Sequence, residues 1–419
     1  MVPSFYVSCV TTLLESELSQ LSISIRDNTP KKSDTSDGLV ELQHIELYRS
    51  FCSQILKKLY SAKENFPFLK SALRFLTVFC LVPDKNLRED SFIIAVFSTL
   101  KKILADPWIT IPIIQSLEVV LTELVAQLVG NCSLEEFYNM MNLILQGLEV
   151  SNIWKQNPME VLSSTTLMKL LLSCPVRGDI EKVFWFTVPQ IITALVMLTQ
   201  EASQEFSLIP IITVPILEMI AALLRQGEGI LRNAHHVTLT FSILLIVPLD
   251  HLKMKDYYSI FLGIHEVLFT VLQFHPKVML KAIPSFLNSF HRLVASVIHK
   301  GQQKEDTGTT SELEVTLKCA QLVERMYTHI ATKTEEFTVF SPFIVAYYVN
   351  ALQKVTLHPA VKKHLKEGIY HILDLCIEND IKFLNASLQM GVREVFKELH
   401  NDYLHYHKMK NQGDKKYTA

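Results

Sequence analysis

Apolar residues recur at steps of three and four along most of this 419-residue chain. One such stripe runs through Val361, Leu365, Ile369, Ile372 and Cys376, and this spacing places its members on one face of a helix. Short turns of polar residues, proline or glycine separate successive stripes, and the alternation typical of strands is almost absent. A helix with an apolar face must bury it against a neighbour, so the sequence predicts an all-α fold of packed helices.

Helix and turn alternate through so much of the chain that a repeat architecture is favoured. We predict an irregular α-solenoid of antiparallel helix pairs, of armadillo or HEAT character, in which each helix is buried by its neighbours. The repeat period is irregular, and a large helical bundle is the alternative. Thr187-Val188-Pro189 and Thr213-Val214-Pro215 precede similar apolar runs. Because proline suits the first turn of a helix, we interpret them as a weak internal echo.

Changes in composition divide the chain into segments. Arg26–Gly38 and His299–Thr310 are polar and lack apolar periodicity, as flexible connections do. The predicted segments are an N-terminal helix (1–25), a flexible loop (26–38), a helical-repeat array (39–298), a linker (299–311), a C-terminal helical region (312–409) and a polar basic tail (410–419). Capping boxes are predicted at Ser133 with Glu136 and at Ser311 with Glu314, since each hydroxyl can accept a first-turn amide proton.

The charge balance excludes one class of protein. The 40 basic and 42 acidic residues give a net charge of −2, so the whole chain is not a polyanion binder by bulk charge. A local basic patch stays open. The seven cysteines are scattered without zinc-type spacing, which predicts buried, reduced thiols in an intracellular protein.

Two very apolar runs raise the question of membrane spans. The run 208–224 is interrupted by Pro210, Pro215 and Glu218, and a central glutamate is costly in a bilayer. The run 236–249 is shorter than the roughly 20 residues that a span needs. We therefore predict buried helices in a packed array and no contact with a membrane.

Catalytic motifs are absent from the sequence. It contains no Walker-type phosphate loop, no G-x-S-x-G and no H-E-x-x-H, so we predict a protein that is not an enzyme and takes no cofactor or small-molecule substrate. His364 and His371 are seven residues apart on one helix face, but the pattern supplies no third ligand. His405 and His407 are two apart and should point to different sides. No metal site is predicted.

The segment from Asn379 to Lys416 gives the most specific pattern. Its apolar stripe predicts a last helix docked on preceding helices, and replacing Phe396 and Leu399 by Asp should unfold this end. The stripe consists of Val392, Val395, Phe396, Leu399, Tyr403 and Tyr406. The tail combines aromatic rings with lysines, as segments that contact RNA do, although a lysine-rich terminus is also the ordinary solvated end of a chain.

The run LNASLQMGVREVFKELHNDYLHYHK, residues 384–408, resembles the C-terminal end of a known family. The matching features are Leu384–Ala386, Gly391–Arg393, Phe396 with Lys397, and the Tyr/His/Lys-rich finish. The family is that of unhealthy ribosome biogenesis protein two, also called nucleolar preribosomal-associated protein two. Its members are usually much longer, so the resemblance leaves open whether this chain is full length, a fragment or a short isoform.

The resemblance implies a non-catalytic scaffold in the nucleolus that supports early large-subunit precursors and processing of pre-ribosomal RNA. The implied partners are other large-subunit assembly factors, among them a large helical-repeat protein; direct contact with pre-ribosomal RNA is left open. The alternative function is a HEAT-like transport or trafficking adaptor. The resemblance carries over no contact residues; the C-terminal surface predicted from the sequence to face partners consists of Arg393, Lys397, Tyr403, Tyr406, Lys408 and Lys410.

Overall fold

The structure, a computed structural model, confirms the all-α prediction. Its described residues are almost entirely helical and contain no strand beyond one isolated antiparallel bridge between Gln302 and Leu357. The described residues are 3–27, 42–82, 91–176, 178–227, 233–303, 310–353 and 355–408. The chain divides into two compact units, Met1–Leu198 and Thr199–Ala419.

The first unit is built from helices that pack on those one to four places away in the chain order. Helix α3 packs on α1, α2 and α5, and α8 packs on α4, α5, α6 and α7. The helices are α1 (Ser4–Asp27), α2 (Ile45–Leu59), α3 (Phe66–Phe79), α4 (Phe92–Leu104), α5 (Ile111–Asn131), α6 (Leu134–Gly147), α7 (Ser151–Trp154) and α8 (Pro158–Leu172), followed by α9 (Asp179–Ala202), which runs past the division between the units.

Aromatic side chains join three of these helices. The ring of Phe75 on α3 lies 5.0 Å from Phe51 of α2 and 6.0 Å from Phe79, which in turn lies 5.6 Å from Phe92 of α4. Edge-to-face and offset rings at these distances add to the free energy of burial. The apolar faces of α2, α3 and α4 therefore meet in a common core.

The second unit continues the same scheme. Helix α12 packs on α10, α13 and α14, while α16 packs on α13, α17, α18 and α19. The helices are α10 (Val214–Leu224), α11 (Ala234–Ile246), α12 (Met254–Phe274), α13 (Pro276–Lys300), α14 (Thr310–Thr332), α15 (Thr334–Phe337), α16 (Ser341–Leu352), α17 (Pro359–Leu373), α18 (Glu378–Ser387) and α19 (Met390–Asp402). Two π-helical turns, Ile209–Thr213 and Tyr403–Lys408, precede α10 and follow α19.

Helices α14 and α17 approach each other closely. A Cβ on Gly368 of α17 would lie 2.8 Å from the Tyr327 ring and 3.0 Å from the Cα of Glu324, both on α14. Real Cβ atoms do not tolerate such distances, so only glycine allows the two helices to meet this way. Tyr327 itself is fully buried.

Buried histidines in this unit bind the backbone of neighbouring segments. His275 Nε2 lies 2.8 Å from the Leu224 carbonyl oxygen at the end of α10, and His265 Nε2 lies 3.2 Å from that of Leu322. Burial lowers the pKa of His265 to about 4, so this ring is neutral at physiological pH. The Leu224 carbonyl, at the end of α10, needs such a partner because no intrahelical amide reaches it.

The capping-box predictions have opposite outcomes. The box at the start of α6 is confirmed: the Glu136 amide donates to Ser133 Oγ at 3.2 Å, and the Ser133 amide donates to Glu136 Oε2 at 2.8 Å. The box at Ser311 is wrong, because α14 is already helical at Thr310 and Ser311 lies inside its first turn. Glu314 instead pairs with Lys318 one turn on.

The prediction that the two Thr-Val-Pro triplets are equivalent positions of a weak internal repeat is also wrong. Pro215 occupies the first turn of α10, as predicted, but Pro189 lies in the interior of α9. The two prolines therefore have different structural roles. A proline in a helix interior removes one hydrogen bond, which the packing of the rest of α9 must offset.

The predicted loop (26–38) and the predicted linker (299–311) both begin with residues that have regular hydrogen-bonded structure. Helix α1 extends through Asp27, so Arg26 and Asp27 are helical rather than part of the loop. In the linker, the Gln303 amide donates to the Thr356 carbonyl at 2.9 Å, and the His358 amide donates to the Gly301 carbonyl at 2.9 Å. The remainder of the loop, residues 304–309 of the linker and the tail from residue 409 lie outside the described residues.

Four helical stretches in the described residues are long and apolar enough to cross a membrane, and one of them includes the run 208–224. Between 39% and 56% of each apolar window is buried inside the protein. The prediction that the chain avoids membranes stays a prediction. The stretches are Ile111–Asn131, Asp179–Ala202, Phe206–Leu224 and Met254–Phe274.

Candidate partner-binding surface at the C-terminal end

The predicted last helix is α19, and it is docked. Phe396 is fully buried, and Val392 and Leu399 lie beside it on the same face, against α16 and α18. The Arg393 guanidinium donates from Nη2 to the Leu388 carbonyl at 2.9 Å, which holds the chain just before the helix. Docking therefore rests on the apolar stripe that the sequence contains.

Beyond α19 the helix widens into the π-helical turn Tyr403–Lys408, which changes the face that each residue presents. Tyr403 and His407 turn inward, whereas Tyr406 is 72% exposed. The assignment of Tyr406 to the buried stripe is therefore wrong. No sequence pattern indicated the wider turn, because residues 403 and 406 fit an α-helical spacing equally well.

Asp374, just past the end of α17, fixes this turn. The Tyr403 hydroxyl donates to Asp374 Oδ1 at 2.8 Å, and His407 Nε2 lies 2.9 Å from Asp374 Oδ2. Burial and the adjacent carboxylate raise the pKa of Tyr403 above its ordinary value. The phenol is thus a buried donor that anchors the turn to α17.

The residues predicted to face partners do not form one set. Arg393 and Tyr403 point into the protein, where they support the end of the chain. Lys397 is exposed and pairs with Glu394 at 2.8 Å. Tyr406 and Lys408 are exposed on the π-helical turn, and Lys410 lies outside the described residues.

A groove of about 240 Å³ lies between α17, α19, the end of α16 at Leu352 and residues 355–357. Its charged walls pair with each other: Lys366 binds Asp402, and Lys362 lies 3.8 Å from Glu398. The groove therefore carries no net charge from these four side chains. Its remaining lining is Leu352, Val355, Thr356, Leu357, Val395 and Leu399.

An exposed apolar group at this end was not predicted from the sequence. We call it the C-terminal apolar surface, and it consists of Phe343, Ile377, Phe383 and Met390. These residues belong to α16, to the N-cap and middle of α18 and to the start of α19, and these helices pack on one another. The rings of Phe343 and Phe383 lie 6.1 Å apart, and Met390 is 82% exposed. Phe383, an aromatic residue on a largely polar helix, is the signal that could have revealed it.

Large exposed apolar side chains gathered on neighbouring helices are typical of protein-interaction sites. Lys397, Tyr406 and Lys408 add a polar and basic contribution at the same end of the chain. Residues 214–412, which contain all of these positions, match the model of the Urb2/Npa2 family; this match confirms the resemblance predicted from the C-terminal segment and implies a role in ribosome biogenesis.

Proposed function

We propose that this chain is a non-catalytic scaffold of nucleolar ribosome biogenesis, which supports early large-subunit precursors and processing of pre-ribosomal RNA through protein–protein contacts. The observation that carries the proposal is the family match over residues 214–412, which lies within the second unit. The match suggests a nuclear or nucleolar location, and we propose the nucleolus.

The packing supports an array of helices as the framework. Helices pack on partners that are near in chain order, as they do when each unit of a repeat protein is buried by the next. We propose the irregular α-solenoid of antiparallel pairs on this basis. Such an array offers partners a long surface.

The C-terminal apolar surface is the proposed docking site for protein partners. Its exposed Phe343, Phe383 and Met390 would gain about 25 cal/mol for each Å² of apolar area removed from water. Lys397, Tyr406 and Lys408 would form the polar rim that surrounds such a core in protein interfaces. The partners we propose are other large-subunit assembly factors, including a large helical-repeat protein.

Affinity purification of the tagged chain from nucleolar extract, with and without nuclease, tests this function. We expect large-subunit assembly factors in both samples, because the proposed contacts join protein to protein. Recovery only without nuclease would mean that the chain is attached through pre-ribosomal RNA and not through direct protein contacts. Recovery of trafficking components instead would favour the adaptor function.

A pair of double variants tests the surface. Phe343→Ser with Phe383→Ser removes two exposed rings of the C-terminal apolar surface, and recovery of assembly factors should fall at least tenfold. The matched control is Val119→Ser with Phe186→Ser, which removes two exposed apolar side chains from the first unit. An equal loss in both variants, measured at equal amounts of folded protein, would exclude the C-terminal apolar surface as the docking site.

A further inference from the structure

Three side chains of types that can ligate a metal converge where the π-helical turn meets α17. His371, Asp374 and His407 each offer one ligand atom, and these atoms all lie within 4.8 Å of one another. His371 and Asp374 are three residues apart at the end of α17, so they share a face. His407 comes from a segment 33 residues beyond Asp374 and is brought there by the widened turn.

The donor set suits a divalent transition cation. Two imidazoles and one carboxylate are the protein ligands of many zinc and non-haem iron sites, which keep further positions open to water. The His407 side chain is 12% exposed and that of Asp374 is 42% exposed. The site is therefore enclosed on the side of the imidazole and open to solvent on the side of the carboxylate.

The surroundings hold these ligands as the neighbours of a metal site do. The Tyr403 hydroxyl donates to Asp374 Oδ1, which leaves Oδ2 directed toward His407. The Tyr370 ring lies 5.5 Å from that of His407, and the His371 ring stands at 90° to it with centroids 5.4 Å apart. Hydrogen bonds to ligating carboxylates and packed walls around imidazoles commonly tune metal affinity.

We propose that His371, Asp374 and His407 bind one divalent transition cation, such as Zn²⁺, which fastens the π-helical turn to the end of α17. The cation replaces the hydrogen bond between His407 Nε2 and Asp374 Oδ2 by two coordinate bonds. Both imidazoles bind as the neutral form through one ring nitrogen each, and any proton held on that nitrogen passes to solvent. Water fills the remaining positions.

Titration of the chelator-treated, reduced full chain with Zn²⁺ in a calorimeter tests the site. We expect one ion per chain in the wild type and at least a tenfold weaker affinity in His371→Gln. This variant leaves the bonds between Asp374, Tyr403 and His407 in place. His405→Gln is the matched control, because His405 is exposed in the same turn and should bind Zn²⁺ as the wild type does.

Co²⁺ provides a second readout that separates this site from the cysteines. Bound to two imidazoles and a carboxylate, Co²⁺ shows d–d absorption without the near-ultraviolet band of a thiolate ligand. His407→Gln should abolish this spectrum even if His371→Gln fails to fold. Absence of one-to-one binding in the wild type, a thiolate band, or an equal loss in His405→Gln would overturn the proposal.

Discussion

Each of the two units contains an ionisable side chain that holds the end of a neighbouring helix, and these two side chains carry opposite charges. In the first unit Glu17 of α1 meets the start of α2. Its carboxylate accepts from the Gln43 amide at 3.0 Å and the Tyr48 hydroxyl at 2.9 Å, and lies 2.5 Å from His44 Nδ1.

In the second unit Arg292 of α13 meets the end of α11. Its guanidinium donates to the carbonyls of Leu244 at 2.6 Å, Leu245 at 2.8 Å and Val247 at 2.9 Å. An acid at a helix N-terminus and a base at a C-terminus both match the unpaired backbone groups and the dipole found there.

The two anchors differ in whether a change of pH can alter their charge. Burial alone would raise the pKa of Glu17, but the hydrogen bonds from His44 and Tyr48 outweigh it and the net pKa is lowered. A carboxylate can still be protonated in acid. Burial lowers the pKa of Arg292, yet a guanidinium remains charged throughout the ordinary pH range. The first anchor is thus sensitive to acid, and the second is not.

Phe396→Asp is expected to have the largest effect. It tests the apolar docking of α19 and leaves both anchors, Glu17 and Arg292, unchanged. Placing an unpaired charge at this fully buried position should cost about 3–5 kcal/mol and undock α19. Limited proteolysis should then cut the C-terminal end. The exposed neighbour serves as control: Lys397→Asp should leave resistance unchanged, and unchanged resistance in Phe396→Asp would contradict the docking.

Arg292→Met is expected to have the next largest effect, about 3 kcal/mol, because it leaves three carbonyls at the end of α11 without their donor. Hydrogen exchange of the α11 and α13 amides should become faster. Arg225→Met is the control, since its partially exposed pair with Glu266 should contribute less than about 1 kcal/mol. Equal effects would mean that Arg292 is not an anchor.

Gly368→Ala and Gly130→Ala compare how tightly helices are packed in the two units. The added methyl at Gly368 meets Tyr327 and Glu324 and should cost about 2 kcal/mol. At Gly130, in α5, nothing lies within 4 Å, and alanine should stabilise by about 0.5–1 kcal/mol. Urea unfolding measures the change in unfolding free energy of each variant. A change of the same sign in both variants would contradict the predicted difference in packing.

Glu17→Gln should destabilise the protein by about 1–2 kcal/mol at neutral pH, from the loss of charge-assisted hydrogen bonds. Because the pKa of Glu17 is lowered on folding, its stabilisation is complete above its unfolded value near 4.5 and disappears as the pH falls through the folded value. The difference in unfolding free energy between wild type and variant should shrink below about pH 4.5. The cost of Arg292→Met should show no such decline.

The sequence predicted those features that depend on local spacing. The helical stripes, the docking of Phe396 and Leu399, and the capping box at Ser133 follow from residues a few positions apart, and the structure agrees. Ser311 shows the limit of such reasoning. A serine with a glutamate three residues on has the right spacing, but the helix had already begun before it.

The sites at the C-terminal end were predicted only in part, because their residues come from segments that are distant in the sequence. Asp374 meets Tyr403 and His407 through the packing of α17 against the π-helical turn, which no local pattern encodes. The pair His364 and His371 shares a helix face, as predicted, yet His364 pairs with Glu324 of α14 at 2.6 Å while His371 turns toward His407. Exposure of Phe343 and Phe383 likewise depends on how α16 and α18 meet.

The π-helical turn Tyr403–Lys408 has a consequence for comparing sequences. A turn of this kind holds about one residue more than an α-helical turn, so it is equivalent to a one-residue insertion. A relative with an unbroken α-helix here would need a gap of one position in its alignment. Without that gap, the residue aligned with His407 would be one that points away from Asp374.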